Sequence, residues 1–155
     1  TPPDPAGDIG QDFYIQMMNA TLFRIFDKDG NAVTPPTNMN TIWSPLGFTG
    51  AGDPIVLYDQ AVQRWVLTEF ANQGNNMLVA ISETSDPQGS YFVYNFTTPT
   101  FPDYPKYGIW NNAYIVTTNE FVGSFYVLEI GLLNSYLVKK LYNLFNNSKL
   151  MRVIL

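Results

Sequence analysis

The sequence predicts an all-β fold, in which antiparallel meander blades of a partial β-propeller span residues 1–130 and a short amphipathic helix lies within residues 131–155. Three observations lead to this prediction. Short runs rich in β-branched and aromatic residues fill the first 130 positions, and clusters of Gly, Pro, Asn and Asp separate them. The pattern also recurs at intervals of about 50 residues.

Nine runs have the length and composition of β-strands. Turn-forming clusters, such as residues 72–76 and 85–89, leave only short gaps between neighbouring runs. Short gaps favour hairpins and therefore antiparallel pairing. The predicted strands are residues 13–18, 21–26, 54–58, 64–70, 77–82, 91–96, 106–110, 113–118 and 124–130.

The runs recur in register along the chain. An Asp in a Pro-flanked turn opens each unit, at Asp4, Asp53 and Asp103, with spacings of 49 and 50 residues. The residues that match at a distance of 100 positions are Ile9 with Ile109, Tyr14 with Tyr114, Ile15 with Ile115 and Asn19 with Asn119. Trp65 takes the corresponding aromatic place in the middle unit. A period of this length with about four short strands is typical of a propeller blade.

The middle unit is the clearest blade, with predicted strands at residues 54–58, 64–70, 77–82 and 91–96. A β-sandwich is the competing interpretation, because strands separated by frequent turns fit both architectures. The Asp–Pro turns that recur in register favour the propeller. Since propellers typically have about 4–8 blades, two to three blades predict that the remaining blades of a longer parent chain are a partner of this segment.

Residues 131–155 differ from the rest of the chain in charge and periodicity. All 13 acidic residues precede this segment, whereas it contains four basic residues and apolar residues at helical spacing. We expect either a helix that covers the open edge of the last blade or a segment foreign to the repeat. The sequence leaves both interpretations open.

Composition excludes several classes of chemistry. The chain has no Cys and no His, which rules out disulfides, thiol catalysis, Cys/His zinc sites and a Ser-His triad. Its net charge is −5, and nucleic acid is not an expected partner because phosphate binding needs clustered Lys and Arg. No apolar run reaches the length of about 18 residues that a transmembrane helix requires.

Five short motifs carry a family resemblance. They are PPD at residues 2–4, GDIG at 7–10, GDPIVLYD at 52–59, RW at 64–65 and FPDYPK at 101–106. In this order they resemble the opening of a family of large secreted bacterial proteins with β-propeller-like repeats. The resemblance covers residues 2–130 and implies a propeller-like fold with secretion or display at the bacterial cell surface. The family has no assigned activity.

Asp4, Asp53 and Asp103 are the candidate site residues. Equivalent positions of successive propeller blades surround one axis, so these carboxylates are expected near one mouth of the central channel. The first interpretation is that each Asp caps a turn where its blade begins. The second is a ligand-binding mouth that would take a divalent cation, calcium being the expected one. The third is acid/base catalysis by Asp53 and Asp103.

The tryptophans divide into core and surface candidates. Trp65 lies inside a predicted strand and is expected in the core. Trp110 stands next to two asparagines in a turn, and it is a candidate rim aromatic for ligand binding.

The function predicted first is a non-catalytic extracellular or cell-surface module for binding or structure, with a glycan or a protein as its partner. The alternative is a carbohydrate-active enzyme of the glycoside hydrolase type that uses the Asp residues at the channel mouth. A matched pair of carboxylates in a pocket would distinguish the enzyme from the binding module.

Overall fold

A computed structural model describes residues 2–19, 21–110, 113–122, 125–127 and 152–153, and three antiparallel sheets make up most of it. The prediction of a mostly antiparallel β structure is confirmed, because all of the strand pairings within these ranges are antiparallel. The sheets of these ranges do not close into a barrel or a propeller ring.

Sheet 1 is a four-stranded meander in which the strands pair in chain order. Its strands are β1 (Ala6–Ile9), β2 (Phe13–Met18), β3 (Leu22–Asp27) and β4 (Thr37–Asn38). A one-turn helix α1 (Asn40–Trp43) and a 3₁₀ turn (Ser44–Leu46) lead to the next sheet. No helix in the described part of the chain is long and apolar enough to cross a membrane.

Sheet 2 contains the four strands predicted for the middle unit and one more. They are β5 (Gly50–Asp59), β6 (Arg64–Ala71), β7 (Asn76–Ser82), β8 (Tyr91–Thr97) and β12 (Arg152–Val153), in the order β12-β8-β7-β6-β5. Strand β12 pairs with the edge of β8, which was not predicted. The helix expected within residues 131–155 otherwise falls outside the described residues. Strand β7 is buried on both faces, which explains its unbroken apolar sequence.

Sheet 3 consists of β9 (Phe101–Trp110), β10 (Ala113–Val122) and β11 (Phe125–Val127), in the order β11-β10-β9. The first strands of the three sheets are neighbours, since β1 contacts β5 and β5 contacts β9. The three sheets therefore follow one another as a stack, with β1, β5 and β9 side by side.

Two apolar clusters hold the stack together. Between sheets 1 and 2, Ile15 and Met17 of β2 pack in one cluster with Trp65 and Leu67 of β6. Trp65 is fully buried there, so its predicted place in the core is confirmed. Between sheets 2 and 3, Val66 of β6 belongs to a second cluster that includes Tyr114 of β10. Alternate residues of β6 thus serve opposite faces of sheet 2, as strand geometry requires.

Successive sheets approach each other closely where the first strand of the preceding sheet ends. A Cβ atom at Gly10, just after β1, would lie 2.6 Å from the Trp65 ring, so only glycine fits there without a shift. At the end of β5, the Asp59 carboxylate is buried and its Oδ2 accepts a hydrogen bond of 3.0 Å from the Tyr114 hydroxyl. This bond ties sheet 3 to sheet 2.

We predict that Tyr114→Phe lowers the free energy of unfolding by about 1–3 kcal/mol, because it leaves one oxygen of a buried carboxylate without its donor. The matched control is Tyr104→Phe, because Tyr104 is 58% exposed. For this control the free energy of unfolding should change by no more than about 0.5 kcal/mol. Urea unfolding followed by circular dichroism measures both. Equal midpoints for the two variants would contradict the role of the bond between sheets 2 and 3.

Candidate functional site

The Asp–Pro turns have an unusual backbone. Asp4 and Asp53 directly precede prolines and have positive φ angles of 29° and 49°. A positive φ is costly for a residue with a Cβ atom, and a following proline restricts the backbone further. In the third turn it is Tyr104, with φ 50°, that precedes the proline, while Asp103 lies one residue earlier. In the third turn Tyr104 thus takes the backbone position that Asp4 and Asp53 hold in the first two.

A chain of hydrogen bonds links the three turns across the sheets. The Asn19 side-chain amide donates to the Asp4 carboxylate, and Asn19 Oδ1 accepts a bond of 3.0 Å from the Asp53 backbone N–H. Asp53 Oδ2 in turn accepts a bond of 3.0 Å from the Tyr104 backbone N–H. Asp53 thus acts as an acceptor in the packing of sheet 3 on sheet 2, whereas Asp4 accepts from Asn19 of its own sheet, and neither bond is a cap of the acid's own turn.

The structure brings all three carboxylates within electrostatic range of one another. Partial burial raises the pKa of Asp53 above its usual value, and repulsion by Asp103 and Asp4 raises it further. The Tyr104 N–H and the Lys106 ammonium oppose this shift in the pKa of Asp53. Within the described ranges, no group of three or more acidic residues has the geometry to hold a metal ion.

A cation–π pair lies beside these acids. The Lys106 ammonium sits 3.6 Å from the centroid of the Tyr104 ring, which is itself mostly exposed. We name the surface formed by Asp4, Asp53, Asp103, Tyr104 and Lys106 the turn edge. It combines three carboxylates, one ammonium group and one accessible aromatic face.

Trp110 does not belong to the turn edge. It is 68% exposed, as a rim aromatic should be, but it lies at the far end of β9. It lies six positions along the extended strand from Tyr104, a distance of about 20 Å. The structure therefore separates the four predicted ligand-binding residues into three neighbouring acids and one remote tryptophan.

An open groove of about 380 Å³ lies on the outward face of sheet 1. Its walls include Ile9, Tyr14, Gln16, Phe26, Asp27 and Lys28. Asp27 accepts hydrogen bonds from the side chain and backbone N–H of Asn31, and these bonds hold the pKa of its carboxyl below the usual value. An acid with a lowered pKa does not hold a proton for general acid catalysis at neutral pH.

Glu69 is a titratable residue that the sequence analysis did not single out. Its side chain is 1% exposed in β6, and its Oε2 accepts a hydrogen bond of 2.7 Å from the Trp43 indole N–H, whereas its Oε1 has no hydrogen-bond partner. Burial raises the pKa of Glu69 to about 7. In the sequence, Glu69 is the one acid inside the mostly apolar run WVLTEFA, which is a hint that it is buried. Only the packing of α1 against β6 shows that its side chain faces the core.

Comparison of the chain with protein-family models, with curated proteins and with solved structures found no match.

We predict that Glu69→Gln removes a pH dependence of stability. The folded state binds the Glu69 proton more tightly than the unfolded chain, so the free energy of unfolding falls as pH rises between about 4.5 and about 7 and is level above that. Relative to Glu69→Gln, the parent chain should lose about 2–3 kcal/mol between pH 5 and pH 8. Urea titrations over this range measure the difference, with exposed Asp12→Asn as the control. Parallel stability curves for Glu69→Gln and the parent would contradict the pKa assignment.

We also predict that Asp103→Asn lowers the pKa of Asp53 towards its ordinary value, because it removes a repelling charge. Asp29→Asn, in the exposed turn after β3, should leave the pKa of Asp53 unchanged. Titration of the carboxyl carbons by NMR provides the measurement. The convergence of these acids is refuted if the pKa of Asp53 does not respond to Asp103→Asn.

Proposed function

We propose that the chain is a non-catalytic extracellular module, part of a β-propeller, that serves an exported bacterial protein for binding or structure. One observation carries this proposal: Asn19, which binds the Asp4 carboxylate, and Asp53 each accept a hydrogen bond from the backbone of the next sheet. Export is supported by the resemblance of the sequence motifs to secreted proteins.

The strand registers support a propeller. In the three sheets the first and second strands pair through Ile9 with Tyr14, Tyr58 with Trp65, and Ile109 with Tyr114. Counting back five residues from the first partner of each pair leads to the three turn residues with positive φ, namely Asp4, Asp53 and Tyr104. The same backbone plan is thus repeated three times, with the first strands adjacent at one side of the stack. Blades of a propeller are arranged in this way around their axis.

The chemistry of the acids favours a non-catalytic role. Glycoside hydrolysis needs two carboxyl groups that flank a bound sugar, one of them able to donate a proton. Asp53 is engaged with the Tyr104 backbone, the groove on sheet 1 includes a single carboxylate, and Glu69 is inaccessible to a substrate. The glycoside hydrolase alternative therefore gains no support from these residues.

The turn edge is the surface that we propose for ligand contact. The Tyr104 ring offers an apolar face on which a neutral sugar ring could stack, and the adjacent carboxylates can accept hydrogen bonds from sugar hydroxyls. An extracellular glycan is therefore the ligand class we propose first, with a protein surface as the second.

We predict that the chain binds neutral glycans on an array without hydrolysing them, and that Tyr104→Ala abolishes binding while Val62→Ala, in an exposed turn, does not. A panel of chromogenic glycosides tests for turnover in parallel. Turnover that is lost in both Asp53→Asn and Asp103→Asn would overturn the non-catalytic proposal. Binding that is unchanged by Tyr104→Ala would show that the ligand contacts another surface.

A further inference from the structure

Exposed apolar side chains concentrate on the two ends of the stack of sheets. Nine large hydrophobic residues are exposed in the described part of the chain, and seven of them belong to strands of sheet 1 or sheet 3. They are Ile9, Met18 and Leu22 in sheet 1, and Tyr104, Ile109, Trp110 and Ile115 in sheet 3. None belongs to a strand of sheet 2, which has a sheet packed on each face.

One repeated position shows what covers such a face. The residue that follows the central aromatic of each second strand is Ile15 in sheet 1, Val66 in sheet 2 and Ile115 in sheet 3. Ile15 is fully buried against sheet 2, and Val66 is 1% exposed against sheet 3, but Ile115 is 37% exposed. The following sheet of the same design therefore buries Ile15 and Val66. In the described part of the chain no sheet follows sheet 3, and Ile115 is exposed.

A second repeated position shows where the contact is centred. Gly10 and Asp59, at the ends of their first strands, meet the aromatic residue of the following sheet, Trp65 and Tyr114 respectively. Trp110 occupies the same position in sheet 3 and is 68% exposed. The aromatic at the place of Trp65 and Tyr114 in sheet 1 is Tyr14, which lines the open groove of about 380 Å³ on the outward face.

We propose that the outward face of sheet 3 docks on the outward face of sheet 1 of a second copy of this chain, with Trp110 of one copy in the groove beside Tyr14 of the other. This inference rests on the proposed repetition of the sheets. The second copy is the occupant because this chain itself presents both complementary surfaces, an aromatic groove at one end and a projecting tryptophan at the other. Two copies bring six sheets together, which lies within the usual range of about 4–8 blades. The contact is heterologous, and a rotation of half a turn between the copies closes it into a two-chain ring.

Sedimentation velocity over a range of concentrations tests the association. We expect a species with the mass of two 17.5 kDa chains that dissociates on dilution. Tryptophan fluorescence reports the surface without any substitution, because Trp43 and Trp65 are fully buried and Trp110 alone of the three tryptophans is exposed. Iodide quenching should therefore fall, and the emission should shift to the blue, as the two-chain species forms.

Two charge substitutions test the pairing of unlike faces. Ile115→Lys on sheet 3 and Ile9→Lys on sheet 1 should each give a monomer, whereas Val62→Lys, at an exposed residue in the turn between β5 and β6, should leave association unchanged. A mixture of Ile115→Lys with Ile9→Lys should recover a two-chain species, since the intact sheet 3 of one variant meets the intact sheet 1 of the other. Far-UV circular dichroism confirms that each variant is folded.

Three outcomes would overturn the proposal. They are a parent chain that stays monomeric up to its solubility limit, a two-chain species in which Trp110 is still quenched, and an Ile9→Lys variant that associates like the parent. The last result would mean that sheet 3 of one copy pairs with sheet 3 of the other. If the chain is monomeric but Tyr114→Phe is still destabilising, the stacking of the sheets stands and the occupant is a further blade of a longer chain.

Discussion

The structure depends on the close approach between the end of one sheet's first strand and the aromatic residue at the centre of the next sheet. Gly10 makes room for the Trp65 ring, and the buried Asp59 carboxylate receives the Tyr114 hydroxyl. Each contact brings two sheets together at a defined point, and apolar clusters fill the space between them. Sheet 2, with such a contact on each side, is accordingly the best-buried part of the molecule.

Three acidic residues, Asp8, Asp53 and Asp59, act as hydrogen-bond acceptors between sheets. Asp8 Oδ2 accepts a hydrogen bond of 2.7 Å from the Tyr58 backbone N–H, and Asp53 does the same for Tyr104. The first strand of a sheet is an edge strand whose outward N–H groups need partners, and a carboxylate from the neighbouring sheet supplies one. Asp8 and Asp53 supply this partner for Tyr58 and Tyr104, so each of the two acids has a structural role.

The sequence predicted the strands well where the pattern is long and apolar. The middle unit was identified because its β-branched and aromatic runs are separated by clear turns, and the burial of Trp65 followed from its place in such a run. Strands β1 and β4 were missed because they are short and polar, and their pairing comes from neighbours rather than from propensity. Asp103 lies one residue farther from its proline than Asp4 and Asp53 do, and β9 and β10 pair there with an irregularity. The proximity of the acids followed from the period, but the hydrogen bonds through Asn19 required the structure.

Amide hydrogen exchange by NMR tests the stacking of the sheets most directly. The N–H groups of Asp53, Tyr58 and Tyr104 lie on the edges of first strands, and each donates to a side chain from the preceding sheet. If the sheets stack as described, these three amides are protected to nearly the same degree as amides of the central strand β6. Exchange of all three at the rate of free edge-strand amides, with β6 still protected, would contradict the account, because the sheets would then fold without stacking on one another.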